Sequence, residues 1–221
     1  MKIFLDTADV TEIKTRWSSG LIDGITTNPS LLRKSGRNHE EVYQEIKDIG
    51  IQDISMEVIG DTTNMISEGK RLNKKFGKCC TVKVPCTREG LKACANLTVE
   101  GIRVNVTLVF SKAQAILAAK AGAQYVSPFV GRVDDISFDG VGLVKGIAEL
   151  YREQMVRTEV LAASMRDVRS VEKCFKYGAD IVTMPTRVFD AMYEHVLTDK
   201  GMDTFDKDYA KSIEGLEISV K

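Results

Sequence analysis

The sequence predicts one (β/α)8 (TIM) barrel followed by a C-terminal helix, on three observations: eight short apolar runs, a longer helical pattern after each, and prolines where runs end. The runs are residues 3–6 (IFLD), 24–28 (GITTN), 54–58 (ISMEV), 81–85 (TVKVP), 103–108 (RVNVTL), 125–130 (YVSPFV), 159–164 (EVLAAS) and 180–185 (DIVTMP). Eight βα units within 221 residues suit a compact closed barrel better than an open sheet. Pro29, Pro85, Pro128 and Pro185 stand at or near the carboxyl end of a run, where a missing N–H does least harm.

Helix starts are legible between the runs. Asn38 with Glu41 forms a capping-box-like pair, Thr87, Ser111 and Asp167 can each cap an N-terminus, and Val42, Ile46 and Ile49 follow at helical spacing. AGAQYVSP (121–128) and YGADIVTMP (177–185) share a helix end, Gly-Ala, then a strand ending near proline; the glycine suits a left-handed C-cap. GVGLVKG (140–146) has the wrong glycine spacing for a nucleotide loop and reads as helix-start packing. No Pro-, Gly- or Ser-rich stretch divides the chain, so residues 1–221 read as one domain, with 199–221 as a helical extension. In that extension Phe205, Tyr209, Ile213 and Leu216 form a stripe that could pack on its own barrel or reach a neighbouring copy.

Thirty-one basic residues balance thirty-one acidic ones without a one-signed block, which gives no electrostatic case for nucleic acid or an anionic membrane and points to a small-molecule partner. The start, MKIFLDTADV, is too short before Asp6 and Asp9 for a secretory core or a membrane span, so a cytoplasmic location is expected. Cys79, Cys80, Cys86, Cys94 and Cys174 lack paired Cys-x-x-Cys spacing and read as buried, reduced thiols. With only His39 and His195 besides, neither a metal site nor a cofactor is expected.

Strand parity divides the runs into two faces. Leu5, Ile25, Ile54, Met56, Val58, Val82, Val84, Val104, Val106, Leu108, Val126, Leu161, Ala163, Val182 and Met184 are expected to face the helices. Asp6, Thr26, Asn28, Ser55, Glu57, Thr81, Lys83, Asn105, Thr107, Ser127, Ser164 and Thr183 are expected inside. A barrel interior built for stability alone would be Val, Ile and Leu; polar groups gathered toward the carboxyl ends of the strands suit an active-site mouth.

Lys83, between two valines, is the candidate nucleophile: partial desolvation favours the neutral amine, which can attack a ketone and form an iminium electron sink without a metal. Asp6 and Glu57 are the candidate proton movers, Asp6 at the substrate hydroxyl and Glu57 through a water; the plainer alternatives are a helix cap, for which Thr7 and Asp9 compete, and a static pair with Lys83. Asn28, Asn105 and Thr107 can hold the hydroxyls of a polyol. Arg132 and Arg166 can grip a phosphate, with Arg169 and Arg187 close enough in sequence to compete.

LDTAD, GITTNPSLL, TVKVPCTREGL, NVTLVFS, YVSPFVGR and LAASMR, in this order and over nearly the full length, resemble the motifs of the small transaldolase and fructose-6-phosphate aldolase family. The resemblance implies a (β/α)8 barrel with its Schiff-base lysine on strand four, at Lys83. It implies Asp6 as acid/base, Glu57 as water activator, and Asn28, Asn105 and Thr107 as substrate and water contacts. It also implies Ser164 and Arg166 as phosphate contacts, with Ser127, Phe129 and Arg132 lining the pocket. Glu57 and Phe129 resemble transaldolases, where the aldolase members carry glutamine and tyrosine. The resemblance thus implies dihydroxyacetone transfer between sugar phosphates (sedoheptulose 7-phosphate with glyceraldehyde 3-phosphate, erythrose 4-phosphate with fructose 6-phosphate) by a pentamer or decamer. An aldolase releasing dihydroxyacetone, a phosphosugar isomerase and a non-catalytic sugar-phosphate-binding barrel are the competing readings.

Overall fold

Parallel strands must bury both faces, and a sheet closed on itself does so with one face inward and the other under helices. In the computed structural model, which describes the backbone of residues 1–218 and the side chains of residues 1–213, the eight runs form that closed barrel. Its strands are β1 (Lys2–Asp6), β2 (Gly24–Thr26), β3 (Ile54–Glu57), β4 (Cys80–Pro85), β5 (Val104–Val109), β6 (Tyr125–Pro128), β7 (Glu159–Ala162) and β8 (Ile181–Met184). Each pairs in parallel with the next, and β8 closes on β1 through pairs such as Phe4 with Thr183.

The surrounding helices are α1 (Val10–Trp17), α2 (Pro29–Ser35), α3 (His39–Ile49), α4 (Thr62–Phe76), α5 (Arg88–Val99), α6 (Lys112–Lys120), α7 (Val130–Asp134), α8 (Gly140–Glu153), α9 (Val168–Lys176), α10 (Thr186–Ala191) and α11 (Val196–Ile218). Their starts use side-chain caps: Asn38, Thr87, Ser111 and Asp167 accept from first-turn backbone N–H groups as expected. Asp9, not Asp6, caps α1, which leaves Asp6 free for the interior. Gly122 and Gly178, the repeated glycines, have φ of 82° and 97°. Pro128 ends β6 earlier than the run suggested, because Val130 already begins α7.

The outer face carries the core: Leu5, Ile25, Met56, Val82, Val84, Val106, Val126 and Val182 pack in one cluster under the helices. Cys79, Cys80, Cys94 and Cys174 are buried free thiols and Cys86 is half-buried; burial pushes Cys80, Cys94 and Cys174 up to about 12.

Parity fails in β7. Leu161 and Ala163 point into the barrel, where they pack with Phe4, Tyr125 and Ile181, while Val160 and Ala162 join the outer core. The expectation counted back from Ser164, but β7 ends at Ala162 and Ser164 has φ 62°, so its side chain does not follow the strand's alternation. Leu108, with φ 59°, sits in a register shift between Val106 and Val109, so β5 also loses its alternation there.

Toward the amino ends of the strands Phe4 and Tyr125 meet edge to face at 6.3 Å. Beside them the buried Asp53 accepts from Thr81 Oγ1 (2.8 Å), Arg103 Nη1 (2.6 Å) and Tyr125 OH (2.7 Å). On α11, Phe205 and Tyr209 are 68% and 69% exposed and Ile213 is 41% exposed, so this stripe does not pack on its own barrel; Leu216 lies outside the described side chains. Among the described residues no helix is long and apolar enough to cross a membrane.

Replacing Asp53 by Ala strands a guanidinium and a phenol and is expected to cost about 3 kcal/mol. For a chain of this size that lowers Tm by roughly 6–12 °C, measurable by thermal unfolding.

Candidate active site

Lys83 reaches the interior because β4 alternates: Val82 and Val84 are fully buried against helices, and Lys83, 5% exposed, points inward between them. Parallel register then chooses its neighbours, setting Glu57 of β3 on one side and Asn105 of β5 on the other. Lys83 Nζ lies 3.0 Å from Glu57 Oε2 and donates to the Thr27 carbonyl at 2.8 Å. A carboxylate is therefore in place to exchange a proton with the amine.

Around the amine the polar side chains hold one another. Thr26 Oγ1 donates to Asp6 Oδ1 at 2.9 Å, and Thr183 lies 2.7 Å from Thr26; with one proton per hydroxyl, Thr183 must be the donor in that second contact. Burial pushes the Asp6 carboxyl above its ordinary range, opposed by Lys83, by the Thr26 hydrogen bond and by Arg132. Ser127 donates to Asn105 Oδ1 (2.7 Å), and Asn105 Nδ2 donates to Ser55 (3.1 Å), which fixes that amide. Thr107 Oγ1 is the exception: among the described residues it is the buried side-chain polar atom with no hydrogen-bond partner. A bare buried hydroxyl costs on the order of 1–3 kcal/mol and fits an atom supplied by a ligand or water.

The β6–β7 side is built by close backbone approach. The left-handed Ser164 turns the chain after β7, and Gly131 N donates to its carbonyl at 3.0 Å. A Cβ at Gly131 would come within 2.3 Å of that carbonyl and 2.7 Å of Arg166 Nε, so glycine is required for Arg166 to lie there. Arg166 is paired with Asp135 at 2.7 Å, and Arg187 donates to the Arg166 carbonyl at 3.2 Å. Arg132 stacks over Phe129 at 5.1 Å, and Phe129 meets Phe110 edge to face at 5.8 Å.

These groups enclose a cavity of about 330 Å³ at the carboxyl ends of the strands, within the range of small-ligand sites. Residues 3–220 match the profile of the family described as Transaldolase/Fructose-6-phosphate aldolase. The chain belongs to the transaldolase/fructose-6-phosphate aldolase family. It is 51% identical over 213 residues, 96% of this chain and 98% of the relative, to a probable transaldolase of Paracoccus denitrificans. A probable transaldolase of Nitrosopumilus maritimus is 50% identical over 96% of both chains, and one of Hyphomonas neptunium is 49% identical over 99% of this chain and all of its own. Membership makes it an enzyme of aldolase/transaldolase type and implies sugar-phosphate substrates.

Of the eleven residues expected at the site of this family member, ten border the cavity: Asp6, Asn28, Lys83, Asn105, Thr107, Ser127, Phe129, Arg132, Ser164 and Arg166. Glu57 does not; it touches Lys83 from behind and borders a neighbouring cavity with Arg37, His39 and Tyr43. Asn28 is less free than a polyol contact would be, because its Oδ1 caps α2 by accepting from Leu31 N at 3.0 Å, leaving its amino group to face the cavity. Arg169 and Arg187 do not border the cavity. Sequence reasoning missed Ser30, Leu31 and Lys34, which present one face of α2 to the opening. The signal was their i, i+1, i+4 spacing just after the Asn28-Pro29 helix start.

Asp6 gives a signed prediction. Its carboxyl is raised in the fold, so between its unfolded and folded pKa the native state binds more protons, and stability falls as pH rises through that window. Asp6→Asn is therefore expected to raise Tm at pH 7 by about 2–4 °C, the size of a 1 kcal/mol gain. Thermal unfolding of both proteins at pH 4 and pH 7 checks it: the difference should shrink at the lower pH.

Proposed function

We propose that the protein is a transaldolase that moves a dihydroxyacetone unit between sugar phosphates through a Schiff base on Lys83. The observation that carries this reading is the geometry of one amine: Lys83 is buried at the floor of a polar cavity, with the Glu57 carboxylate 3.0 Å behind it. The names of the relatives support the same reaction class, and Glu57 and Phe129 favour transfer over release of free dihydroxyacetone.

In this mechanism the Lys83 proton passes to Glu57, and the free amine attacks the ketone carbon of the donor to give a carbinolamine. Glu57 returns a proton as hydroxide leaves as water, and the nitrogen lone pair forms the iminium. Thr107, whose hydroxyl has no protein partner, anchors that water. Asp6 then takes the proton of the hydroxyl carried by the far carbon of the bond to be broken. The C–C electrons flow into the iminium, giving an enamine and an aldehyde phosphate. An acceptor aldehyde reverses these steps, and water returns to release the new ketose.

Asp6 suits this task because burial raises its affinity for protons while Lys83 and Arg132 keep it from being too basic. Asn105, locked between Ser55 and Ser127, presents a fixed edge to the substrate, and Asn28 offers its amino group. Ser164, Arg166 and Arg132 receive the phosphate, with Ser127 and Phe129 completing the wall. The barrel works as one unit of residues 1–221, with 199–221 an extension whose apolar stripe joins copies into a homo-oligomer, and its setting is the cytoplasm.

Incubation with fructose 6-phosphate and borohydride is expected to add the reduced sugar to Lys83, located by peptide mass. Lys83→Met abolishes the adduct, and Glu57→Gln lowers transfer about 100-fold or more, the scale of a proton-transfer group. An adduct elsewhere, or undiminished transfer in Glu57→Gln, contradicts the assignment. Release of dihydroxyacetone at the same rate with and without acceptor aldehyde would make the enzyme an aldolase instead.

A further inference from the structure

Beyond Lys83, three cations among the described residues border the cavity: Arg132, Arg166 and Lys34. They differ in how far their charge is already used. Arg166 is committed to Asp135 at 2.7 Å, and Arg132 is held over the Phe129 ring. Lys34 has no carboxylate partner among the described residues.

Its position follows from local sequence. Asn28 caps α2 and Pro29 begins it, so Ser30, Leu31 and Lys34 fall on one face one helical turn apart, and all three border the opening. Leu31 and Lys34 also border a second cavity toward α1, lined further by Lys14, Arg37 and Glu45. The Lys34 side chain is thus a partition between the two spaces, standing on the β2 side of the mouth, whereas Arg132 and Arg166 follow β6 and β7.

A phosphate ester carries about −1.5 to −2 charges near neutral pH. On the β6–β7 side one of the two guanidinium charges is offset by Asp135, and at the floor Asp6 repels anions when ionised. The balance is incomplete without a further cation, and a cavity of about 330 Å³ is too small to hold a sugar phosphate beyond the influence of its own rim. Lysine also suits the place chemically: an ammonium on a flexible stem can follow phosphates carried at different distances from the reacting carbon, while a guanidinium fixed by its own carboxylate cannot.

We propose that Lys34 is a specificity-determining residue, whose ammonium reaches over the mouth from α2 and completes the grip on the substrate phosphate opposite Arg132 and Arg166. This rests on a sugar phosphate being the substrate and adds the element that selects it over the unphosphorylated sugar.

The test is calorimetric binding of fructose 6-phosphate and of free fructose to the full chain, its Lys34→Met and Lys34→Arg variants, and Lys14→Met as a control from the wall of the second cavity. Lys34→Met is expected to weaken fructose 6-phosphate binding about tenfold, the scale of one partly screened charge-assisted contact, and fructose binding less than twofold. Lys34→Arg should recover most of the loss, and Lys14→Met should leave the ratio of the two affinities as it was. Equal weakening for both sugars, no weakening for either, or a parent protein that does not prefer the phosphorylated sugar overturns the proposal. Borohydride trapping on the same samples reports separately on the imine at Lys83, so a failed imine and a failed phosphate contact are told apart.

Discussion

A primary amine placed in the middle of a buried parallel strand is the constraint around which the rest of the interior is arranged. Leaving such a group without partners would cost several kcal/mol. The fold meets this with two partners, the Glu57 carboxylate at 3.0 Å, set opposite by register, and the Thr27 carbonyl at 2.8 Å, from the turn after β2. The first demands no long-range coincidence: β3 lies beside β4, and the residue opposite Lys83 is Glu57. Once the amine is held, the neighbouring polar groups pair with one another, Thr183 with Thr26 and Asp6, Ser127 with Asn105 and Ser55. Thr107 alone among the described residues is left bare within that shell.

Stability and chemistry are separated along the barrel axis. At the amino ends of the strands Phe4, Tyr125 and Ile181 fill the interior, and Asp53 ties Thr81, Arg103 and Tyr125 together with every contact satisfied. At the carboxyl ends the groups are less content: a carboxyl raised by burial at Asp6, a left-handed non-glycine at Ser164, an unpartnered hydroxyl at Thr107. Local strain and unpaired polarity collected at one end of an otherwise satisfied barrel are the expected accompaniment of a reactive site.

The barrel was legible because period-two alternation, helix caps and strand-ending prolines all pointed the same way; Thr87, Ser111 and Asp167 cap the helices expected of them. The polar interior was legible for the same reason, since strand parity needs no knowledge of tertiary structure as long as the strand is regular. It failed where the backbone leaves the strand. Ser164 was placed inside by counting, and Leu161 and Ala163 outside by the same count; the regular alternation of β7 turns Leu161 and Ala163 inward, and the positive φ of Ser164 brings its side chain to the cavity as well. Glu57 lies against Lys83, as the plainer alternative for it had it, but parity cannot say that it borders a different cavity from the one Lys83 faces. Lys34 was invisible because Asn28 and Pro29 were read as a substrate contact and a strand end, not as the start of α2; which face of a short helix overhangs a barrel also depends on its tilt, which no periodicity records.

The aromatic and ionic filling at the amino ends of the strands has a kinetic corollary. With Phe4, Tyr125 and Asp53 occupying the lower interior, everything that reaches the amine does so over the rim formed by the loops at the carboxyl ends. For a catalyst that exchanges one aldehyde for another, a shared doorway means that the first must depart before the second can enter. On the Schiff-base mechanism proposed for Lys83, the covalent intermediate would have to outlive that interval, and the order of events would be ping-pong as a matter of plumbing rather than of affinity.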